Sequence, residues 1–510
     1  MIMNWLKRIG SGHKRPRQQP PPAAEPSASP GSGDTDWTAD ELRQLFRKSA
    51  DFNMERYELG DADHIQTVYL LYCEGMSDAK TINEYIIPRI VHLINEDFSA
   101  ELDKKLILTR IESKEDIVDQ VFAGNLVMLF EQLGITYGLD IADPPHRTPD
   151  ESNTETAIKG PKDAFVEELG HNVALVRKRL RSNSLCYEQL IIGKRSRSKV
   201  ALLYVEDITN PSFVDEARTR LQKIDMDLLY SSSQLEEIIA DSSLSLFPLL
   251  HYTTRPDFVV DCLIRGRFAI IVEGAPTAII GPANLALLLK TPEDFYIPYY
   301  MGTFGLLFRF IGLLIALLLP GFWIALTAFN IEQLPYQFIA TISISRFGLP
   351  MPAPLEGFLM IGLFELFREA GERLPKAVGQ TIAVIGGIIV GDAAIRAGLV
   401  STTFLVVIAI SAVSGFTLVN QSLVGSVSLV RLFVMLLSST LGMYGFILSI
   451  LAIVLYLATL ESFGIPYLAP IAPFSWNDVQ MTFLRKPWIT KNRRPSMLNT
   501  IDKTRKRENS

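Results

Sequence analysis

The ionisable side chains that stand out in this chain are those embedded in its most apolar third. Glu356 and Glu365 lie in Pro350–Pro375, PMPAPLEGFLMIGLFELFREAGERLP, an apolar segment that starts with prolines and ends in Arg368, Glu369, Glu372 and Arg373. A charge at membrane depth costs on the order of 2.5 to 3.5 kcal/mol, so it normally faces a protein interior or a water-filled path. One chemistry open to such carboxylates is a ring in a symmetric oligomer that selects cations. Nine residues are two and a half helical turns, so Glu356 and Glu365 point to opposite faces of a straight helix. They cannot both join one ring from one straight helix. The plainer alternative pairs Glu365 and Glu369 with Arg368 or Arg373 at the membrane interface.

Asp392 and Arg396 stand four apart on one helix face, the spacing of an intrahelical ion pair. A structural intramembrane pair and a gating or proton-linked role both remain open. Gly386, Gly387 and Gly391 nearby permit close helix approach.

The rest of the chain offers little reactive chemistry. GKRSRSK, residues 193–199, lacks the GxxxxGK[ST] pattern of a phosphate loop and joins two strand-like runs, so it reads as a solvated hairpin tip. Glu206, Asp207 and Glu273 fall near strand ends without a His, Lys or Ser in matching context. The six histidines are dispersed, and Cys73, Cys186 and Cys262 are far apart without CxxC spacing, so neither a metal site nor a disulfide framework is expected. The expectation is a non-enzyme without a cofactor.

These residues sit in a chain of two unlike halves, and its net charge of −6 sums an acidic globular part and a basic tail. Residues 1–35 form a basic, Pro-rich arm expected to be disordered, a solvated tail rather than a nucleic-acid-binding one. Residues 36–140 read as a first α/β subdomain: a helix over 36–53 opened by Thr38 and Glu41 as a capping box, a buried strand in HIQTVYLLYCEG, then helices to about Tyr137. Residues 141–163 are a linker. Residues 164–294 read as a second α/β subdomain, with strands Tyr187–Ile192 and Val200–Val205, a helix Pro211–Ile224, a short strand MDLLY, helices QLEEIIAD and RPDFVVDCLIRG, and two strands in FAIIVEGAPTAIIGPAN.

Residues 295–465 carry few charges and read as an α-helical integral membrane domain. Tyr296, Tyr299 and Tyr300 are placed as interface anchors. Phe310–Ile331 runs 22 residues without a charge, enough to cross a hydrocarbon core of about 30 Å. Further spans are expected near 399–420 and 440–460. The basic residues of the tail, 466–510, put the C-terminus on the cytoplasmic side, as the absence of an N-terminal apolar stretch does for the N-terminus. Crossings must then be even in number. Ala377–Ile395 supplies a fourth, and Pro335–Ser345, Leu355–Phe367 and Leu423–Leu437 are either re-entrant or short helices, giving four crossings, or paired short crossings, giving six. The expected architecture is about four full spans plus re-entrant or short helices.

The run RPDFVVDCLIRGRFAIIVEGAPTAIIGPA, then PEDFY, then PAPLEGFLMIGLFELFREAGERLPKAVGQTIAVIGGIIVGDAAIRAGLVS resembles the A subunit of the GerA-type spore germinant receptors, over most of residues 60–480. The resemblance implies a spore inner-membrane protein working with a transporter-like B subunit and a lipoprotein C subunit. It implies homo-oligomerisation into a nutrient-gated cation channel, for which Glu356, Leu359, Gly362, Leu363 and Glu365 become the pore-lining or gating candidates. The basic tail is expected to bind anionic lipid. A secondary transporter subunit and a non-conducting scaffold are the rival readings.

Overall fold

The computed structural model describes residues 37–59, 65–95, 108–144, 155, 159–373, 391–485, 487 and 492–505. The basic N-terminal arm and most of the Ala377–Ile395 segment lie outside the described residues.

The first α/β unit is built on β1 (Phe52–Leu59), β2 (Gln66–Cys73), β3 (Thr109–Arg110), β4 (Leu126–Phe130) and β5 (Ile135–Leu139). They form one antiparallel sheet in the order β1-β2-β4-β5-β3. Two sequence expectations change here. The opening helix spans Ala39–Leu45 and stops before β1, although Thr38 does cap it by accepting from the Glu41 N–H. The region expected to be helical up to Tyr137 holds β3, β4 and β5. LVMLF and ITYGL are short apolar runs whose periodicity cannot separate a buried strand from a helix.

The second unit holds β6 (Leu185–Ile192), β7 (Ser198–Val205), β8 (His251–Thr253), β9 (Phe268–Val272) and β10 (Ala278–Gly281), antiparallel in the order β6-β7-β9-β10-β8. That order repeats the first sheet strand for strand. Each unit opens on a helix, makes an eight-residue hairpin, adds its edge strand after further helices, and closes on a second hairpin. The Pro256–Ile264 helix ends at Gly266, whose φ of +98° suits glycine. MDLLY is not a strand; it lies against the hairpin tip, where the Met226 and Asp227 carbonyls accept from the Lys194 and Arg195 N–H groups.

A buried ion pair joins the two units. Arg177, on the Leu169–Arg179 helix, donates to Asp51 through Nε at 3.0 Å and Nη2 at 2.9 Å, and through Nη1 to the Ser182 and Leu185 carbonyls. Its guanidinium also stacks over Phe122.

Beyond Pro298 the chain forms an apolar helical bundle: Tyr299–Ala328, Tyr336–Arg346, Ala353–Arg373, Gly391–Arg396, Thr402–Gly415 and Gln421–Thr459. Tyr299–Ala328 and Gln421–Thr459 are long and apolar enough to cross a membrane. The second of these is not one rod. Gly442 has φ +62° and ψ −138°, and the helices on either side of it reverse there.

Contacts at the ends establish the reversal. At one end the Asn420 amide lies 3.1 Å from Nδ1 of His251 in β8, and at the other the Tyr456 hydroxyl accepts from the Leu246 N–H at 2.9 Å. Both ends of the hairpin therefore rest on the second α/β unit. Gly442 instead sits against Phe329, at the far end of the Tyr299–Ala328 helix.

The chain after Thr459 also returns to that unit. Ser462 accepts from the Ala283 N–H and donates to the Leu249 carbonyl. Phe463, Ile465, Ala469 and Leu498 complete the core on one face of the second sheet. Part of the basic tail is thus packed structure: Arg494 donates to the Ile264 carbonyl, and the Ile501 N–H to that of Ile208.

Candidate functional site

The Ala353–Arg373 helix carries two carboxylates drawn into the bundle. Glu356 and Glu365 sit on it nine residues apart and engage different partners, as their spacing requires. Glu356 is 1% exposed. Its Oε1 accepts from both the backbone N–H and the hydroxyl of Ser401, each at 2.5 Å. Ser401 is the N-cap of the Thr402–Gly415 helix and itself accepts from the Phe404 N–H. A carboxylate here meets the positive end of the helix dipole, an interaction worth up to about 2 kcal/mol when partly buried. Gly357, beside it, lies so close to Phe404 and Ile324 that a Cβ would stand 2.7 Å from the Phe404 ring.

Glu365 is bracketed by two guanidiniums. Arg368 pairs with it at 2.7 Å from the same helix, and Arg431 pairs with it from the Gln421–Thr459 hairpin. Arg368 also donates to the Ser428 hydroxyl at 2.9 Å. Arg431 is 6% exposed. Sequence reasoning anticipated Arg368 as a partner and missed Arg431. The signal was present: Arg431 is the lone charge between two long uncharged runs, Ala397–Val430 and Leu432–Leu460. A solitary intramembrane arginine calls for a carboxylate partner.

The other candidates fall elsewhere. Leu359 and Gly362 lie on the exposed side of the helix with Leu355 and Leu366, whereas Leu363 is half-buried. Asp392 and Arg396 meet at 2.8 Å, both exposed. Arg309, in the first turns of the Tyr299–Ala328 helix, makes a two-point contact with Asp294 at 2.7 and 2.9 Å and so ties that helix to the α/β side.

Among the described residues there is no cluster of three or more metal-ligating side chains. Cys73, Cys186 and Cys262 are free and buried, and burial pushes the Cys262 thiol up to about 12. Glu206 pairs with Lys48, and Glu273 accepts from the Lys199 N–H, so these strand-end carboxylates hold local contacts.

The polar groups of this arrangement fix helices to one another and to the α/β units. The class so defined is a pair of α/β units joined to an apolar bundle whose buried carboxylates bond across to neighbouring helices.

The chain belongs to the Bacillus/Clostridium GerA spore germination protein family, whose sequence model matches residues 40–497. It is 43% identical to spore germination protein XA of Bacillus anthracis, over 87% of this chain and 92% of that protein. It is 30% identical to spore germination protein KA of Bacillus subtilis, over 91% and 87% of the two chains, and 34% identical to spore germination protein GerLA of Bacillus cereus, over 84% and 89%. A crystal structure of the N-terminal domain of the A subunit of the Bacillus megaterium spore germinant receptor GerK3 matches 48% of this chain and 92% of that chain, with 24% identity and a TM-score of 0.38. Proteins of this family are receptor components, not enzymes.

Proposed function

We propose that this chain is the membrane-embedded A-type subunit of a nutrient germinant receptor, and that copies of it assemble into a ligand-gated cation channel. The observation that carries the membrane reading is the return of the bundle to one face: Asn420, Tyr456 and Ser462 all touch the second α/β unit, while Gly442 touches Phe329 at the far end.

Depth along the bundle then fits the six-crossing reading, with the segment between Arg373 and Gly391 outside the described residues. Tyr299–Ala328 runs outward. Ala353–Arg373 runs inward, from Glu356 at the level of Ser401 and Phe404 to Arg368 at the level of Ser428. By Ala394, packed with Ile324 and Phe404, the chain is outward again. Thr402–Gly415 comes inward, from Phe404 beside Ile324 to Ser411 on the Ala316 carbonyl. The Gly442 hairpin goes out and back. Both termini lie on the cytoplasmic side in this reading.

Glu356 and Glu365 act within their own subunit, as the clamp and ion pair that hold the Ala353–Arg373 helix. Leu359 and Gly362, on its exposed side, face the pore, with Leu363 behind them. Asp392 and Arg396 form an ion pair in the membrane region. The partners are a transporter-like B subunit, a lipoprotein C subunit and further copies of this chain, in the spore inner membrane, with anionic lipid at the basic C-terminal segment.

Spores lacking this chain should fail to germinate on the nutrient its receptor serves, as followed by loss of optical density, and restoring the chain should restore the response. Unchanged germination on every nutrient tested would contradict the assignment.

A further inference from the structure

Where the second α/β unit, the first long helix and the C-terminal segment meet, the structure forms a partly open cavity of about 60 Å³, room for several waters or a small anion. Its charged lining is Arg265, Lys290, Arg485, Arg493 and Arg505 against a single carboxylate, Asp294. That carboxylate is already held by Arg309. Asp261, behind the cavity, pairs with Arg265 and lies 3.7 Å from Arg505. With Arg309 and Asp261 included, six cations and two carboxylates surround the cavity among the described residues.

The cluster is partly shielded from water, with Arg493 on its exposed side. Arg265 is 8% exposed. Burial first, and then the neighbouring Arg265 charge, lower the proton affinity of Arg505. Burial also holds the adjacent Arg267 guanidinium down to about 10, with Arg265 contributing. Crowded guanidiniums in a partly dry site are matched by an anion that several of their N–H groups can reach, and phosphate oxygens suit the guanidinium fork. The remaining wall is apolar, with Phe295, Leu306 and Met481. Leu306 is two turns into the Tyr299–Ala328 helix, on the apolar side of Tyr299 and Tyr300.

We propose that this cavity is a phosphate-binding site. The apolar wall fits the glycerol and first methylenes of an anionic phospholipid, so a lipid phosphate is the source the geometry favours over free inorganic phosphate. The choice of lipid rests on the membrane reading above; the phosphate site does not. A bound phosphate bridges three separate parts of the chain: the end of the Pro256–Ile264 helix, the start of the first long helix, and the strap of residues 492–505.

The test uses the full chain. Its thermal unfolding in uncharged detergent is followed with added inorganic phosphate against chloride of equal ionic strength, and in phosphatidylcholine nanodiscs with and without phosphatidylglycerol. The midpoint is expected to rise with phosphatidylglycerol, with phosphate, or with both, and an Arg493→Glu, Arg505→Gln variant should need at least about tenfold more ligand. Lys290→Gln, which leaves the strap intact, should weaken the response in the same direction, and Arg195→Glu, at the exposed hairpin tip, should not. A response to lipid alone identifies the lipid source and a response to phosphate alone the free anion; either supports the site. No response in either medium, or an equal response in the cavity variants, overturns it. Failure of the membrane reading would instead appear as failure of the chain to incorporate into nanodiscs of either composition, with phosphate binding in detergent retained.

Discussion

Glu356 and Ser401 are 45 residues apart in sequence, yet one carboxylate oxygen accepts both the backbone N–H and the hydroxyl of the serine at 2.5 Å. This contact fastens the start of the Thr402–Gly415 helix to the Ala353–Arg373 helix. Glu356→Gln keeps an acceptor at Oε1 and should cost less than about 1 kcal/mol. Glu356→Ala strands the buried Ser401 donors and should cost about 1 to 3 kcal/mol. Chemical unfolding in detergent checks the difference; equal losses in the two variants would mean the charge, not the acceptor, is what matters.

Asp51 and Arg177 should behave as a strut between the α/β units. Removing one partner leaves a buried charge uncompensated, so Asp51→Ala is expected to cost about 3 to 5 kcal/mol. An Asp51→Ala, Arg177→Met double variant should recover much of that loss. A double variant as unstable as Asp51→Ala would show that packing against Phe122, not charge pairing, dominates.

His251 should make stability pH-dependent on the acid side. Burial, and then the charge of Arg267, pull it from its ordinary 6.5 to about 3. It stays neutral in the fold while the unfolded chain takes up a proton below 6.5, so the unfolded state binds more protons and stability falls as pH drops from 6.5 towards 3. The slope approaches about 1.4 kcal/mol per pH unit. His251→Gln, which can still meet Asn420, should remove this part of the slope in thermal unfolding between pH 7 and pH 5. An unchanged slope would assign it to other groups.

Gly442 is required twice over. Its φ is +62°, and an added Cβ would stand 2.8 Å from the Phe329 side chain. Gly442→Ala should destabilise the bundle by about 1 to 3 kcal/mol. Adding Phe329→Ala should relieve the clash and leave the backbone strain, giving partial rescue in the same unfolding assay. Full rescue would show that the left-handed backbone is not needed for the reversal.

Much of this organisation is legible in the sequence. The hairpin on either side of GKRSRSK and the helix closed by Gly266 follow from strand and capping chemistry, and the nine-residue spacing separates the roles of Glu356 and Glu365. The matching strand order of the two sheets is not legible, because β4 and β5 are short apolar runs without a telling period. Nor is the Gly442 reversal: 29 uncharged residues from Leu432 to Leu460 read as a single span, and one glycine among several does not mark which will turn. Arg431 was legible as a lone charge, but only the fold brings it to Glu365, 66 residues away. The packing of the tail is not legible either: its conspicuous charge reads as a lipid-binding segment, and its apolar anchor, Leu498, is a single residue.

The most direct test of the central claim is cysteine accessibility during cation flux. The three native cysteines are buried, so background modification is low. The chain would be reconstituted with its partner subunits in potassium-loaded liposomes, carrying Leu359→Cys, Gly362→Cys, Glu356→Cys or Ile361→Cys, and treated with a charged, membrane-impermeant thiol reagent while nutrient-triggered flux is recorded. The account predicts block at positions 359 and 362 and none at 356 and 361, which face the interior of the subunit. Block at 356 with none at 359 and 362, or the absence of any nutrient-triggered flux from the unmodified receptor, would contradict it.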